Sequence, residues 1–322
     1  MNFWGWLRRT GNGGTTRGSK IRPSPKGTRK NPNKMNCNPV VEGKTVSKDT
    51  CYTSDALLKI KEAYNKHNLE NAIVATDPTV IFNELKHKMT KCKKEDCWLK
   101  ELPATEQKYL DTYLFAPDKP QEWKKKKNEW LSNIDIFEVL KQYEAKYTNF
   151  KLFEPTPIDF DKRLPEENGK CVQEELCVIS LKDLVADNKN KIGVIFNLDE
   201  HDEDGSHWTA MFVDIENRVI FYFDSAANRT PKEVKTLVKK IRKQGKELSV
   251  PIKFKYYENY PRRHQGGASE CGMYSLFFII TMLTDKTDFD SNMTMDKKLD
   301  LFLHKKIPDK YVSQYRNVYF ND

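Results

Sequence analysis

Apolar positions change their spacing near the middle of the chain, and the change divides it. Before residue 150 they recur every three or four residues. Ile136, Val139, Leu140 and Tyr143 share one face of a helix predicted over 134–147. Leu58, Ile60, Ala63 and Tyr64 mark another over about 54–68, which Ser54 or Asp55 can cap. A third is predicted from Thr79 to about Lys91. A fourth follows Pro120, a residue suited to a first helical turn, with Trp123 and Trp130 around the lysines 124–127. These stripes predict core more readily than a binding surface. After residue 150 the pattern becomes short strands alternating with helices. Compact apolar runs at 191–197, 208–214 and 219–223 have strand length, and a turn at Glu216 and Asn217 makes the last two a hairpin. Pro231 opens a basic helix that Gly245 is expected to stop, and 251–257 reads as a further strand. Residues 270–282 are apolar on every side, which predicts a helix buried at the domain centre. The fold class is therefore α+β: a mixed, mainly antiparallel sheet around one buried helix, preceded by an N-terminal helical arm domain.

The first 48 residues fit neither pattern. Glycines and prolines break any periodicity, and basic residues are scattered among Ser, Thr and Asn. The expected organisation is a flexible basic tail over 1–48, the helical arm over 49–150 and an α+β domain over 151–322. Charge sharpens this division. The formal net charge of +9 resides within residues 1–50, which hold 11 Lys or Arg and 2 Asp or Glu; the remainder holds 44 of each sign. The basicity belongs to the tail, as a solvated arm or as a tether to nucleic acid or an anionic surface. Phe3, Trp4, Trp6 and Leu7 before Arg8 and Arg9 would also suit a membrane interface. No apolar run approaches the roughly 20 residues that span a bilayer, and the start lacks the order of a signal peptide. A soluble protein made in a cytosol-like compartment is expected.

Seven cysteines, Cys37, Cys51, Cys92, Cys97, Cys171, Cys177 and Cys271, form an odd and sparse set, for which free thiols are the expectation. Cys92 and Cys97 could form half of a metal site, but no second pair follows, and His201 and His304 are isolated. No metal and no cofactor are predicted.

The chemistry gathers around Cys271, which follows a glycine-containing loop and begins the buried helix. A thiol at a helix N-terminus meets the partial positive charge of unpaired amides, which favours the nucleophilic thiolate. A lone cysteine is more often simply core. His207 changes that balance. It begins a strand after the polar stretch 199–206, where an imidazole can reach into a cleft and take a thiol proton. Asp224 ends the next strand, where it can orient the imidazole or merely cap the turn before Ser225. Gln265, six residues before Cys271, offers an amide to the oxyanion of a thiolate attack, with the Cys271 backbone amide as a second donor.

The sequences Ser206-His207-Trp208, Phe223-Asp224-Ser225 and 265–272 resemble the active-site motifs of SUMO-specific and adenovirus-type cysteine proteases. The likeness is closer to the polyprotein-processing type of African swine fever virus and other large DNA viruses. Arg263 to Gln265, Glu270 to Gly272, Tyr274 to Phe277, Asp224 to Ala226, Lys146 to Thr148 and Ile158 to Phe160 carry it. It covers roughly 135–322, with a looser echo in the helical arm. The resemblance implies Cys271 as nucleophile, His207 as general base, Asp224 as orienting acid and Gln265 as oxyanion donor. The swine-fever type has Asn where Asp224 stands and Gln where Ala268 stands, which leaves Gln265 as the only glutamine in this loop. Asn197 matches an Asn of that type and is expected to face the cleft, with Trp208 and Gly272 beside the substrate. Trp208 suits a tunnel wall and a core position equally.

By the same resemblance, the substrate is a protein cut after small residues, at Gly-Gly-X sites in viral structural polyproteins during virion maturation. The expected setting is the host cytoplasm, in the viral factory, and the virion. A deconjugase for a ubiquitin-like modifier ending in Gly-Gly would use identical chemistry. An acetyltransferase with a similar His, acid and Cys set, and a nucleic-acid-binding scaffold with an inactive protease domain, are the remaining alternatives.

Overall fold

A computed structural model describes residues 35–322 other than Lys127, so the tail expected to be flexible and basic, with its nucleic-acid and membrane readings, lies almost wholly outside the described residues. Residues 35–48, grouped with the tail on composition, are packed. Met35 and Val41 are buried in a core with α1 (Ser54–His67), α2 (Pro78–Lys88) and α3 (Ala104–Leu114). Local rules explain these helices. The Thr53 side chain caps α1, Asp77 accepts from Thr79 and Val80 to cap α2, and Ser132 with Asp135 forms a capping box at the start of α4 (Asn133–Lys146).

The helix expected after Pro120 is only a short 3₁₀ turn, Gln121–Lys124. The Trp123 indole donates to the Glu129 carbonyl at 3.0 Å, folding the lysine run back on itself. The helix that does form nearby, α3, shows only Leu110 and Leu114 buried, too thin a stripe for its period to stand out.

The second half carries β1 (Phe150–Leu152), β2 (Thr156–Pro157), a small ribbon of β3 (Arg163–Leu164) and β4 (Lys170–Cys171), and two short helices, α5 (Glu174–Cys177) and α6 (Leu181–Ala186). Then come β5 (Lys191–Asn197), β6 (Trp208–Asp214), β7 (Val219–Phe223), α7 (Lys232–Glu247), β8 (Lys255–Glu258) and α8 (Cys271–Leu283). Helices α9 (Met295–His304), α10 (Asp309–Ser313) and α11 (Arg316–Tyr319) close the chain. The main sheet runs β1-β5-β6-β7-β8, with β2 also on β5. Its centre, β5-β6-β7, is antiparallel, while β1 and β2 pair parallel to β5 and β8 pairs parallel to β7, so the sheet is mixed as expected.

Alternation along the strands explains how both faces are buried. Ala210, Phe212, Phe221 and Phe223 face α8, whereas Met211, Val213, Ile220 and Tyr222 face Val234, Leu237 and Ile241 of α7. Every residue of α8 is buried, as its uniform apolarity predicts. Gly245 does not end α7: a Cβ there would lie 2.6 Å from the Phe254 ring, so the glycine is needed for space inside the helix.

Six cysteines are bonded rather than free: Cys37 to Cys51, Cys92 to Cys97, and Cys171 to Cys177. Tertiary packing brings the first pair together, because Cys37 bridges to Phe115 and returns the segment beside Cys51. Cys92 and Cys97 hold each other, which removes the half-site for a metal. Cys271 is the free cysteine. No helix among the described residues is long and apolar enough to cross a membrane.

Candidate active site

The antiparallel register sets Ala210 opposite Phe223, so His207, just before β6, and Asp224, just after β7, emerge at the same sheet end. Their side chains meet there, with His207 Nε2 2.7 Å from Asp224 Oδ1. That contact occupies Nε2 and leaves Nδ1 for the thiol. Burial alone disfavours the charged ring, but hydrogen bonding to Asp224 and to Cys271 outweighs it and raises the His207 pKa to about 9. Burial pushes the fully buried Asp224 upward, but the His207 hydrogen bond and charge, with the Ala226 amide, hold it below the usual carboxylate range. Asp224 serves both roles anticipated for it: it binds the imidazole, and it accepts from the Ala226 and Asn228 amides at 2.8 and 3.1 Å.

Asn259 carried no sequence signal and fixes this acid. It donates to the Asp224 carbonyl at 2.7 Å and accepts from the Asp224 amide at 2.8 Å. Such an asparagine looks like any other loop asparagine until the fold brings it into place.

Cys271 is the first residue of α8 and is 1 % exposed. The loop before it is pinned at several points. Asp309 accepts from the Gly266 amide at 2.9 Å, the Gly267 amide at 2.7 Å and the Tyr274 hydroxyl at 2.8 Å. His264 is fully buried, donates from Nε2 to the Phe302 carbonyl and accepts from the Ile307 amide; burial lowers its pKa to about 4, so it stays a neutral brace. Gln265 accepts from the Ser225 hydroxyl at 2.6 Å and donates to the Gly267 carbonyl at 2.7 Å. Its carboxamide keeps a second N–H. Glu270, directly before the cysteine, forms a buried pair with Arg316 at 3.1 Å.

Trp208 lies against the nucleophile's helix, and its indole donates to the Leu131 carbonyl at 2.9 Å. Gly272 is packed so closely that a Cβ there would meet Leu131 at 3.1 Å and Trp208 at 3.4 Å. Leu131, which carried no sequence signal, thus packs against the residue that follows the cysteine. Trp208 and Asn197 line a cleft of about 940 Å³ that runs to Asp118 and Glu122. The Asn197 carboxamide oxygen accepts from the Asp199 and Ser206 amides, so this residue shapes the loop before His207. The structure therefore brings His207, Asp224 and Cys271 together, with Gln265, Trp208 and Gly272 around them, and sets Asn197 along the adjoining cleft.

Residues 148–315 match the Ulp1 protease family, C-terminal catalytic domain. The chain belongs to the Ulp1 protease family. It is a cysteine protease. Across 85% of this chain and 90% of the other, it is 28% identical to a candidate thiol protease of Acanthamoeba polyphaga mimivirus. It is 31% identical to the SUMO-1 cysteine protease of African swine fever virus over 53% of this chain and 65% of that protein. The crystal structure of the African swine fever virus protease superimposes with a TM-score of 0.57 at 20% identity, covering 93% of this chain and 97% of that one. The fold shared with that protease therefore includes the helical region, beyond the matched catalytic segment.

Proposed function

We propose that this Ulp1-family protease is an endopeptidase that cuts after small residues, at Gly-Gly-X sites in viral structural polyproteins. The observation that carries this reading is the near-complete burial of Cys271, with the adjoining Gly272 packed against Leu131 and Trp208 and a histidine already bound to its acid nearby. A substrate must approach through a slot, and glycine alone lacks the side chain that would collide with its walls. Cys271 attacks the carbonyl, and His207 takes the thiol proton on Nδ1 and later returns it to the leaving amine. Asp224 holds the ring and stabilises its cation. The free N–H of Gln265 and the Cys271 amide are the oxyanion donors. The test uses a peptide reporter with Gly-Gly before the scissile bond, turned over by wild type and not by Cys271→Ala. Replacing the glycine at the scissile bond with valine should abolish cleavage; unchanged turnover of the valine peptide would sink the specificity.

Similarity to the SUMO-1 cysteine protease of African swine fever virus favours a second reading, deconjugation of a ubiquitin-like protein ending in Gly-Gly. Faster release from a folded SUMO fusion than from a peptide of the same cleavage sequence would select it.

A further inference from the structure

The cleft that ends at Trp208 and Leu131 carries a charge that the catalytic chemistry does not require. Asp118, Glu122, Asp135, Glu200, Glu203 and Asp204 line it, against one lysine and one histidine. The lysine, Lys119, is already paired with Asp322, and the histidine, His201, lies 2.7 Å from Asp159. An acidic trough leading to a slot for glycines fits a basic segment interrupted by Gly-Gly.

The chain contains such a segment. Residues 1–34 hold nine Lys or Arg and no Asp or Glu, and Gly13 and Gly14 form their only adjacent glycine pair. Arg8 and Arg9 precede this pair, and Arg17 and Lys20 follow it. The described body begins beside the trough: the Asn36 carbonyl accepts from the Ala116 amide, two residues before Asp118. The 20 residues between Gly14 and Met35 can span roughly 70 Å when extended. A folded chain of this length has a radius of gyration of only about 20 Å.

We propose that the protein's own N-terminal segment occupies the acidic cleft and that Cys271 cleaves it after Gly14, a reading that rests on the Gly-Gly preference above. The Cys271 sulfur bonds to the Gly14 carbonyl carbon, and the Gly14–Thr15 C–N bond breaks. The Thr15 amine leaves with the proton that His207 took from the thiol. One water then hydrolyses the thioester, frees residues 1–14 with a Gly14 carboxylate and restores the Cys271 thiol. The shortened chain begins at Thr15 and keeps seven of the nine basic residues.

Intact-mass measurement of the purified full chain over time is the test, run beside Cys271→Ala, Gly14→Val and the Gly-Gly peptide reporter. Wild type should lose residues 1–14 at a rate independent of protein concentration, and slow several-fold in high salt as the charge attraction is screened. Cys271→Ala should stay full length, and Gly14→Val should stay full length while still turning over the reporter. Retention of residues 1–14 by a wild type that cleaves the reporter overturns the inference and leaves the Gly-Gly reading standing. Cleavage at another position, or equal loss from Cys271→Ala, also overturns it. Failure to cleave either the tail or the reporter removes the Gly-Gly reading and this inference together.

Discussion

The helical region and the sheet region use their buried polar chemistry in opposite ways. In the helical region, Cys37, Cys51, Cys92 and Cys97 are tied off in pairs, and the core of Tyr52, Leu57, Ile60 and Leu99 surrounds no catalytic group. In the sheet region, Cys271 is left unpaired at a helix start, and the buried groups Asp224, Gln265, Glu270 and Arg316 are held around it. The contrast teaches that the thiol of the proposed nucleophile is left unbonded, whereas the other cysteines serve to brace.

Substitutions in the two regions should therefore fail differently. The largest effect is expected from Cys271→Ala, which should lower kcat by at least about 10³-fold with an unchanged unfolding midpoint, because it removes the nucleophile and little packing. Asp224→Asn should follow at roughly 10²- to 10⁴-fold in kcat, with the His207 pKa falling back from about 9, read by histidine NMR titration. A kcat within a few-fold of wild type would show that Asp224 is only a turn cap. Arg316→Ala should cost about 3–5 kcal/mol in denaturant unfolding, because Glu270 is left charged and buried without its partner.

On the helical side, Cys37→Ala with Cys51→Ala opens a bridge spanning 14 residues and should cost about 3 kcal/mol, while kcat on the reporter stays within a few-fold. A loss of kcat as large as that of Asp224→Asn would erase the contrast between the regions. The smallest effect is one of pH. His207 has a folded pKa raised to about 9 from 6.5, so its stabilisation is full below pH 6.5 and is lost as pH rises through 9. Wild type and His207→Ala should accordingly converge in unfolding free energy by up to roughly 3 kcal/mol across that window.

The candidate catalytic groups were legible because each sits where a short pattern changes: a strand start, a strand end, a helix start. The hairpin of β6 and β7 needs only alternation and a turn, so the meeting of His207 and Asp224 followed from counting along two strands. The residues that hold the site were not legible. Asn259, Asp309 and Arg316 reach it from loops and from the last helices, 35 to 46 residues from the groups they bind, and nothing local marks an asparagine or arginine for such a role. The positions of two edge strands escaped for a related reason, since β1, with three residues, and β2, with two, are too short to show a period. The disulfides escaped because chain-wide spacing says nothing of residues that tertiary packing brings within bonding reach.

The described chain is stitched together at its two ends. Asn321 accepts from the Asn36 amide at 2.6 Å and donates to the Asn36 and Ala116 carbonyls at 3.1 and 2.8 Å, joining positions 285 residues apart. Beside this knot, Phe320 packs its ring edge against Trp123 at 5.2 Å, and the Trp123 face meets Arg316 at 4.2 Å. A chain emerging from the ribosome thus cannot finish either region until residues 316–321 are out. Arg316, which pairs with Glu270 directly before Cys271, arrives with that same segment, so this brace forms only after the rest of the described site has been made.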